Sequence, residues 1–177
     1  PLDLNDYLAH DGFRGLRRAL EIGSLATVNE VVESGLRGRG GAAFPTGIKW
    51  QTVLKQPEGQ RYIACNADEG DSGTFSDRML MEGDPFSVIE GMIIAAVAVG
   101  ATRGYIYLRV EYPHAFQVMS AAIAAARQAG FLGSNVCGSK HAFDIELRLG
   151  AGAYICGEET SMLESIEGRR GEIRVRP

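Results

Sequence analysis

The stretch Arg61-Tyr-Ile-Ala-Cys-Asn-Ala-Asp-Glu-Gly-Asp-Ser-Gly73 changes character halfway along its length. Its first five residues, Arg61 to Cys65, form a short and mostly apolar run, which is typical of a buried β-strand. The residues from Asn66 to Gly73 are polar and rich in glycine and aspartate, which is typical of a turn. A strand followed by a glycine-containing turn occurs again at 143–157, and another strand is predicted at 104–109.

Helices are predicted between these strands. They cover residues 12–22, 25–34, 48–55, 75–82, 85–100, 113–130 and 158–166. Residues that favour helix ends support these helices. Ser24 is the expected N-cap of the second helix and Gly35 its stop, and Asp84-Pro85 opens the longest apolar helix, with Asp84 as its cap. Strands that alternate with such helices predict an α/β fold with a mainly parallel sheet and helices on both faces.

The composition argues against several classes of protein. Of the 177 residues, 45% are hydrophobic and 23% charged, and the net charge is −4, which disfavours general nucleic-acid or membrane-surface binding. The uncharged stretch 91–101 is shorter than the roughly 20 residues that span a bilayer, so a buried helix is predicted. The cysteines Cys65, Cys137 and Cys156 form no metal-binding pair, and we expect a protein of the reducing cytoplasm.

The ligand site of such a fold can also be placed. Ligands of open parallel sheets lie beyond the carboxyl ends of the strands. The turns 66–73 and 150–157 both follow predicted strands directly. We therefore expect the ligand where these two turns meet.

The loop Ser34-Gly-Leu-Arg-Gly-Arg-Gly-Gly-Ala-Ala-Phe-Pro-Thr-Gly-Ile-Lys-Trp50 indicates what the ligand carries. Successive bare backbone N–H groups leading to a helix start bind anions such as phosphate. Arg39 and Lys49 can add positive charge, and Phe44 offers a flat apolar face. The alternative is a flexible connector, which would not need these side chains among its glycines.

Two common phosphate-binding motifs do not fit this loop. The spacing Gly38-x-Gly40-x-x-Ala43 matches the dinucleotide fingerprint, but it follows a predicted helix rather than a strand, so the βαβ context is missing. The sequence Gly-Ile-Lys-Trp50 also departs from the P-loop motif. A classical NAD dehydrogenase domain is therefore disfavoured, and another kind of phosphate loop is predicted.

The glycine loop resembles the flavin loop of the NADH-binding flavoprotein subunit of respiratory complex I and its soluble relatives. Two further segments match that family: Cys65-Asn-Ala-Asp-Glu-Gly-Asp-Ser-Gly-Thr-Phe-Ser-Asp-Arg78 and Gly150-Ala-Gly-Ala-Tyr-Ile-Cys-Gly-Glu-Glu-Thr160. With the N-terminal pattern Tyr7-Leu-Ala-His-Asp-Gly-Phe-x-x-Leu16, the resemblance covers nearly the whole chain. It implies a modified Rossmann-like domain that holds FMN and stacks NADH against it.

The resemblance also implies a role for individual residues. The FMN contacts it implies are Gly38, Arg39, Gly40, Gly41, Ala42, Lys49, Asn66, Asp68, Glu69, Gly70, Tyr154, Gly157, Glu158 and Glu159. The NADH contacts it implies are Phe44, Asp71, Arg176 and Glu159 or Glu158. No catalytic side chain and no metal ligand is expected, because hydride passes between the two cofactors.

Simpler structural roles remain open for some of these residues. Asn66 and Asp68 are also typical of an Asx-turn after a strand. Glu158 and Glu159 can be first-turn carboxylates favoured by the helix dipole, and one of the pair is expected to do only that. Tyr154 can be a core residue.

This chain departs from the complex I pattern at two places. It has Gly41-Ala-Ala-Phe44 where Gly-Ala-Gly-Phe is commoner, and Gly70-Asp-Ser-Gly73 where many relatives have a Glu-Pro-Gly form. Asp71 thus replaces a longer acid that touches NADH. The second variant looks most like the β subunit of soluble molybdenum-dependent NAD formate dehydrogenases. The alternatives are the NADH-oxidising subunit of complex I, a subunit of an NAD-linked hydrogenase, or a non-catalytic scaffold.

The resemblance further implies a domain division and partners. Residues 1–35 are expected to form an N-terminal helical segment and residues 36–177 the FMN/NADH-binding domain. Relatives continue into a ubiquitin-like segment and a helical bundle with a [4Fe–4S] site, whose cysteines are not found here. Expected partners are NAD(H), a small [2Fe–2S] subunit and a catalytic molybdenum or hydrogenase subunit, with no nucleic acid and no membrane insertion.

Overall fold

The computed structural model describes residues 3–175, and a three-stranded parallel sheet lies at its centre. The strands β1 (Tyr62–Ala67), β2 (Arg103–Leu108) and β3 (Asp144–Leu149) are adjacent in that order. The helices are α1 (Leu4–Ala9), α2 (Arg14–Ile22), α3 (Ser24–Glu33), α4 (Thr46–Leu54), α5 (Ser76–Gly83), α6 (Pro85–Val99), α7 (Pro113–Gln128) and α8 (Glu159–Ile166). Short 3₁₀ turns cover Val136–Gly138 and Tyr154–Gly157. The predicted α/β class with a parallel sheet is confirmed.

The strands are in register, so their carboxyl ends lie side by side. Ala67 pairs with Leu108, and Leu108 with Leu149, at the last position of each strand. Both crossover connections are long enough to carry helices, as parallel pairing requires. The turns that follow the three strands therefore emerge at one edge of the sheet.

One face of the sheet packs on the core. Ile106 and Ile145, which face the same side, are fully buried with residues of α6 and α7. Helix α6 is apolar on nearly all sides and is almost entirely buried, as the uncharged stretch predicts. Asp84 lies at its N-cap position, Pro85 begins it, and Gly100 ends it with φ +72°, a left-handed conformation that glycine adopts without strain.

The opposite face of the sheet is covered only at its carboxyl end. Tyr107 is buried there against Met162 of α8 and Cys156, and its hydroxyl lies 2.8 Å from Ser165 Oγ. Helices thus lie on both faces, although α8 covers little of the second. No helix within residues 3–175 has the length and apolar character needed to cross a bilayer.

Several element boundaries differ from the sequence-based expectations. β1 continues to Ala67, so Asn66 is the penultimate residue of the strand rather than the first residue of the turn. Helix α1 lies in a segment with no predicted helix; Asp3 caps it by accepting from the N–H groups of Asn5 and Asp6. The expectation that Ser24 caps the second predicted helix was wrong. Gly23 holds the cap position, and the Ser24 hydroxyl donates to the Ala98 carbonyl of α6 instead.

The N-terminal helices are anchored by a buried carboxylate on α6. Glu90, only 9% exposed, accepts hydrogen bonds from the Tyr7 hydroxyl at 2.5 Å and from the backbone N–H groups of Phe13 at 2.8 Å and Leu16 at 3.0 Å. The last two bonds satisfy donors at the start of α2, which have no partner inside that helix. Burial, and then the bond to Glu90, raise the pKa of Tyr7. The division at residue 35 remains a prediction.

Replacing Glu90 by glutamine should destabilise the protein. An amide has one oxygen acceptor in place of two carboxylate oxygens, so at least one buried N–H or hydroxyl donor loses its partner, which costs about 1–3 kcal/mol. Urea unfolding of Glu90→Gln measures this loss, and Glu33→Gln on the exposed end of α3 is the control, with an expected change within about 0.5 kcal/mol. Equal effects of the two substitutions would contradict the anchoring role of Glu90.

Candidate functional site

A pocket with a volume of about 640 Å³ opens beyond the carboxyl ends of β1 and β3. This volume lies in the range of about 300–1,000 Å³ that is typical of small-molecule sites. Its lining comes from the tip of the glycine loop, from the turn and helix start after β1, and from the turn after β3. The lining residues are Arg39, Gly40, Gly41, Asn66, Asp68, Glu69, Gly70, Asp71, Thr74, Ser76, Asp77, Tyr154, Ile155, Gly157 and Glu158.

The glycine loop has a defined shape. Gly38 N–H donates to the Phe44 carbonyl at 2.9 Å, and Thr46 N–H donates to the Leu36 carbonyl at 2.9 Å, so the base of the loop is closed by paired backbone. The tip projects beyond this base to the pocket. A Cβ atom added at Gly40 or Gly41 would meet no protein atom within 4 Å, because both residues face open space. These bonds disfavour the flexible-connector alternative.

The departure from the common loop pattern at Ala43 has a structural consequence. Ala43 adopts φ +48°, a left-handed conformation in which an added methyl group is strained. Glycine would adopt this backbone conformation at position 43 with less strain. Its carbonyl accepts a hydrogen bond from Arg37 Nη1 at 3.0 Å, which holds the loop in this conformation.

Asn66 ties the turn after β1 to the turn after β3. Its side-chain oxygen accepts from Asp68 N–H at 3.2 Å, and its amide nitrogen donates to the Gly157 carbonyl at 2.9 Å. The first bond forms the Asx-turn that was the simpler structural role considered for Asn66 and Asp68. The second brings the two pocket walls together. A Cβ atom at Gly157 would lie 3.2 Å from the Asp68 carbonyl, so this close approach favours glycine.

Asp68 has a carboxylate oxygen that is unsatisfied within the described part of the chain. Its Oδ2 is buried and has no hydrogen-bond partner among the described residues. Burial raises the pKa of Asp68, and the positive charge of Arg109 opposes that rise. A buried polar atom without a partner costs free energy, so it is a candidate for a ligand contact.

The Glu69 side chain binds a neighbouring helix. Its carboxylate is buried and accepts from the N–H groups of Asp77 at 2.5 Å and Arg78 at 3.3 Å, at the start of α5. The side chain therefore caps α5. Burial raises the pKa of Asp77, and repulsion by the Glu69 carboxylate adds to that rise.

Tyr154 lines the pocket and packs against the turn after β1. A Cβ atom at Gly70 would lie 2.8 Å from its ring, so only glycine allows the ring to rest there. The Tyr154 hydroxyl donates to Asp71 Oδ1 at 3.2 Å, which joins the two turns a second time. The residue is 74% exposed, which excludes a core role for this tyrosine.

The two adjacent glutamates have separate roles. Glu158 is the N-cap of α8 and accepts from the N–H groups of Thr160 and Ser161, both at 2.9 Å. It is thus the member of the pair that serves the helix N-terminus, although it also lines the pocket. Glu159 begins α8, is exposed, and is not part of the lining.

Five other expected site residues are not part of the pocket lining. They are Gly38, Ala42, Phe44, Lys49 and Glu159. Lys49 Nζ lies 5.9 Å from the centre of the half-exposed Phe44 ring, so these two side chains are neighbours. Arg176 lies outside the described residues.

Four lining residues were absent from the expected set. They are Thr74, Ser76, Asp77 and Ile155. The first three belong to the same polar turn and helix start as Asp71, so continuing that segment to the helix N-terminus would have found them. In the sequence, their polar side chains next to the start of α5 were the feature that indicated a place in the site. For Ile155 the sequence offers no such signal.

The pocket offers groups that suit the phosphate and the hydroxyls of FMN. The open space above Gly40 and Gly41 admits a group close to the backbone, and Arg39 supplies positive charge beside it. Asp68 offers an unsatisfied acceptor for a hydroxyl. Within residues 3–175, no cluster of three or more His, Cys, Asp or Glu side chains is arranged to hold a metal ion.

Comparisons with known proteins agree with this fit. A sequence profile described as the Nuo51 FMN-binding domain matches residues 31–177. The chain is 51% identical over its full length to the NADP-reducing hydrogenase subunit HndC of Solidesulfovibrio fructosivorans, covering 36% of that protein. It is 48% identical to an NADH-quinone oxidoreductase subunit of Aquifex aeolicus, over 98% of this chain and 41% of the relative.

A solved structure gives the same answer for the fold. The crystal structure of an NAD⁺-reducing [NiFe]-hydrogenase in the H₂-reduced state matches with a TM-score of 0.76 and 44% identity, over 86% of this chain and 26% of that chain. The chain spans 36% and 41% of the two curated relatives. The profile match and these identities show that the chain belongs to the Nuo51 FMN-binding domain family.

Proposed function

We propose that this chain binds FMN in the pocket and exchanges a hydride between NAD(H) and the flavin, as the flavoprotein part of a larger electron-transfer enzyme. One observation carries the proposal: the glycine loop and the turns after β1 and β3 converge on a single pocket. The family description supports the cofactor. Bound FMN supplies the hydride chemistry and can pass electrons on singly.

The charges of the pocket favour one orientation of FMN. Arg39 is the only cationic side chain among the lining residues that the structure describes, whereas Asp68, Glu69, Asp71, Asp77 and Glu158 are acidic. A phosphate is repelled by carboxylates and attracted by bare backbone N–H groups and a guanidinium. The phosphate therefore belongs at the tip of the glycine loop, and the ribityl hydroxyls belong toward the turn after β1.

The residues around the second turn have proposed roles toward NAD(H). Asp71 and Tyr154, joined by their hydrogen bond, border the open side of the pocket, where a nicotinamide can approach. Glu159, exposed beside the pocket, remains the proposed partner of the ribose hydroxyls, since the Glu158 carboxylate caps α8. Phe44 remains a proposed contact of the NADH adenine, and Arg176 a proposed NADH contact at the pocket rim. None of these roles requires a side chain to transfer a proton.

A more specific proposal concerns the enzyme to which this chain belongs. The Gly70-Asp-Ser-Gly73 variant supports an NAD-linked formate dehydrogenase, in which electrons from formate reduce NAD⁺ through iron–sulfur clusters in the cytoplasm. The relatives described above are named as hydrogenase and quinone oxidoreductase subunits, which supports the alternatives. Each host implies a small [2Fe–2S] subunit and a further catalytic subunit. Copurification with a molybdopterin protein or with a nickel–iron protein distinguishes them.

FMN binding can be measured directly. Protein purified from an expression host, or titrated with FMN after flavin removal, should release FMN and no FAD on denaturation. Chromatography with absorbance at flavin wavelengths identifies which flavin is bound. A folded protein that takes up no flavin would contradict the proposal and favour a non-catalytic scaffold.

Gly40→Ala should weaken flavin binding without unfolding the protein. The new methyl group enters the open space above the loop tip, so the unfolding free energy of the flavin-free protein should change by less than about 0.5 kcal/mol. The FMN dissociation constant should rise at least about tenfold, equivalent to about 1.4 kcal/mol.

Gly59→Ala provides a matched control for this substitution. Its Cβ atom would also meet nothing within 4 Å, but it lies outside the pocket lining. Fluorescence titration with FMN should give the same dissociation constant for Gly59→Ala as for the unmodified protein. Equal FMN affinity of Gly40→Ala and Gly59→Ala would show that the loop tip does not contact the flavin.

A further inference from the structure

Arg109 is a charged residue at the carboxyl end of the middle strand. None of the expectations from the sequence placed it in the site. It directly follows β2, the middle strand, and its N–H donates to the Ala67 carbonyl of β1 at 3.4 Å. Its side chain does not line the pocket. The turn after β2 thus differs from those after β1 and β3, because it lies behind the pocket wall.

The Arg109 guanidinium makes three separate contacts. Its Nη1 donates to the backbone carbonyl of Glu69, and its Nε donates to Glu111 Oε2 at 3.2 Å. Its Cζ lies 5.0 Å from the centre of the buried Tyr112 ring, a distance suited to a cation–π contact. The side chain is only 22% exposed, so these contacts are partly shielded from water.

Glu69 is consequently held from two sides. Arg109 binds its backbone carbonyl, while the first N–H groups of α5 bind its carboxylate. Its neighbours Asp68 and Gly70 both line the pocket. The bond between Arg109 and the Glu69 carbonyl therefore attaches the middle of this turn to the residue that follows β2.

We propose that Arg109 is a positioning residue for the flavin, which fixes the Asp68–Gly70 turn in the geometry that FMN needs. This role rests on the proposed function, because it takes FMN as the ligand. A guanidinium suits it, since its planar fork presents separate N–H donors to Glu69 and Glu111 while its face packs on Tyr112. The charge acts as well: burial disfavours the ionised form of Asp68, and Arg109 offsets that effect.

Arg78 offers a matched control on the same ring. Its Cζ lies 5.4 Å from the centre of the Tyr112 ring, and its Nε pairs with Glu82 at 3.0 Å. Its side chain is also a guanidinium beside Tyr112, but these side-chain contacts are with α5 and the ring, and it does not line the pocket. Replacing Arg78 therefore removes a similar charge without removing a side-chain bond to the turn.

The test compares Arg109→Gln and Arg109→Lys with Arg78→Gln. For each flavin-free protein, thermal unfolding gives stability and titration with FMN gives the dissociation constant. The visible circular dichroism of bound FMN reports how the ring is held. We expect Arg109→Gln to bind FMN at least about tenfold more weakly, with an altered dichroism band. Arg109→Lys should recover part of the affinity, and Arg78→Gln should match the unmodified protein in both FMN readouts.

The outcomes separate this proposal from the proposed function. Unmodified protein that binds no FMN would overturn both. Unmodified protein that binds FMN, with Arg109→Gln matching it in affinity and dichroism, would overturn the role of Arg109 alone. An equal loss of affinity in Arg109→Gln and Arg78→Gln would also overturn it. If Arg109→Gln does not fold, Arg109→Lys decides, because a lysine with unchanged affinity and dichroism contradicts a role for the guanidinium fork.

Discussion

The two-sided hold on Glu69 is the constraint on which the site depends. Its carboxylate accepts from N–H groups at the start of α5, and its carbonyl accepts from the guanidinium of Arg109, the residue that follows β2. A short turn with one residue fixed at both its backbone and its side chain has little freedom. The geometry that Asp68 and Gly70 present to the pocket is therefore restrained by the contacts of the residue between them.

The remaining pocket walls are attached to this turn by hydrogen bonds. Asn66 reaches the Gly157 carbonyl, and Tyr154 reaches Asp71, so the turn after β3 is joined twice to the turn after β1. The parallel register brings these turns to the same edge of the sheet. Bare glycines at the contacts allow the approach, because a Cβ atom at Gly70 would strike the tyrosine ring.

The fold and the place of the site could be predicted from the sequence because their causes are local. Apolar runs indicated the strands, and Pro85 and Gly100 marked the ends of α6 through backbone preferences of single residues, whereas the Asp84 side chain makes no capping hydrogen bond. The direction of a side chain depends on tertiary contacts. Glu69 pointing to α5, Glu158 capping α8 and Ser24 bonding to α6 instead of capping α3 all follow from packing that periodicity does not report.

The central claim is that the loop tip and the two turns form one FMN site. A crystal structure of the protein with FMN tests it most directly. The account predicts the phosphate against the backbone of Gly40 and Gly41 beside Arg39, with the flavin ring along the wall that the Asp68–Asp71 turn and Tyr154 form together. Flavin density elsewhere on the protein, or the phosphate among the carboxylates of Asp71 and Asp77, would contradict it.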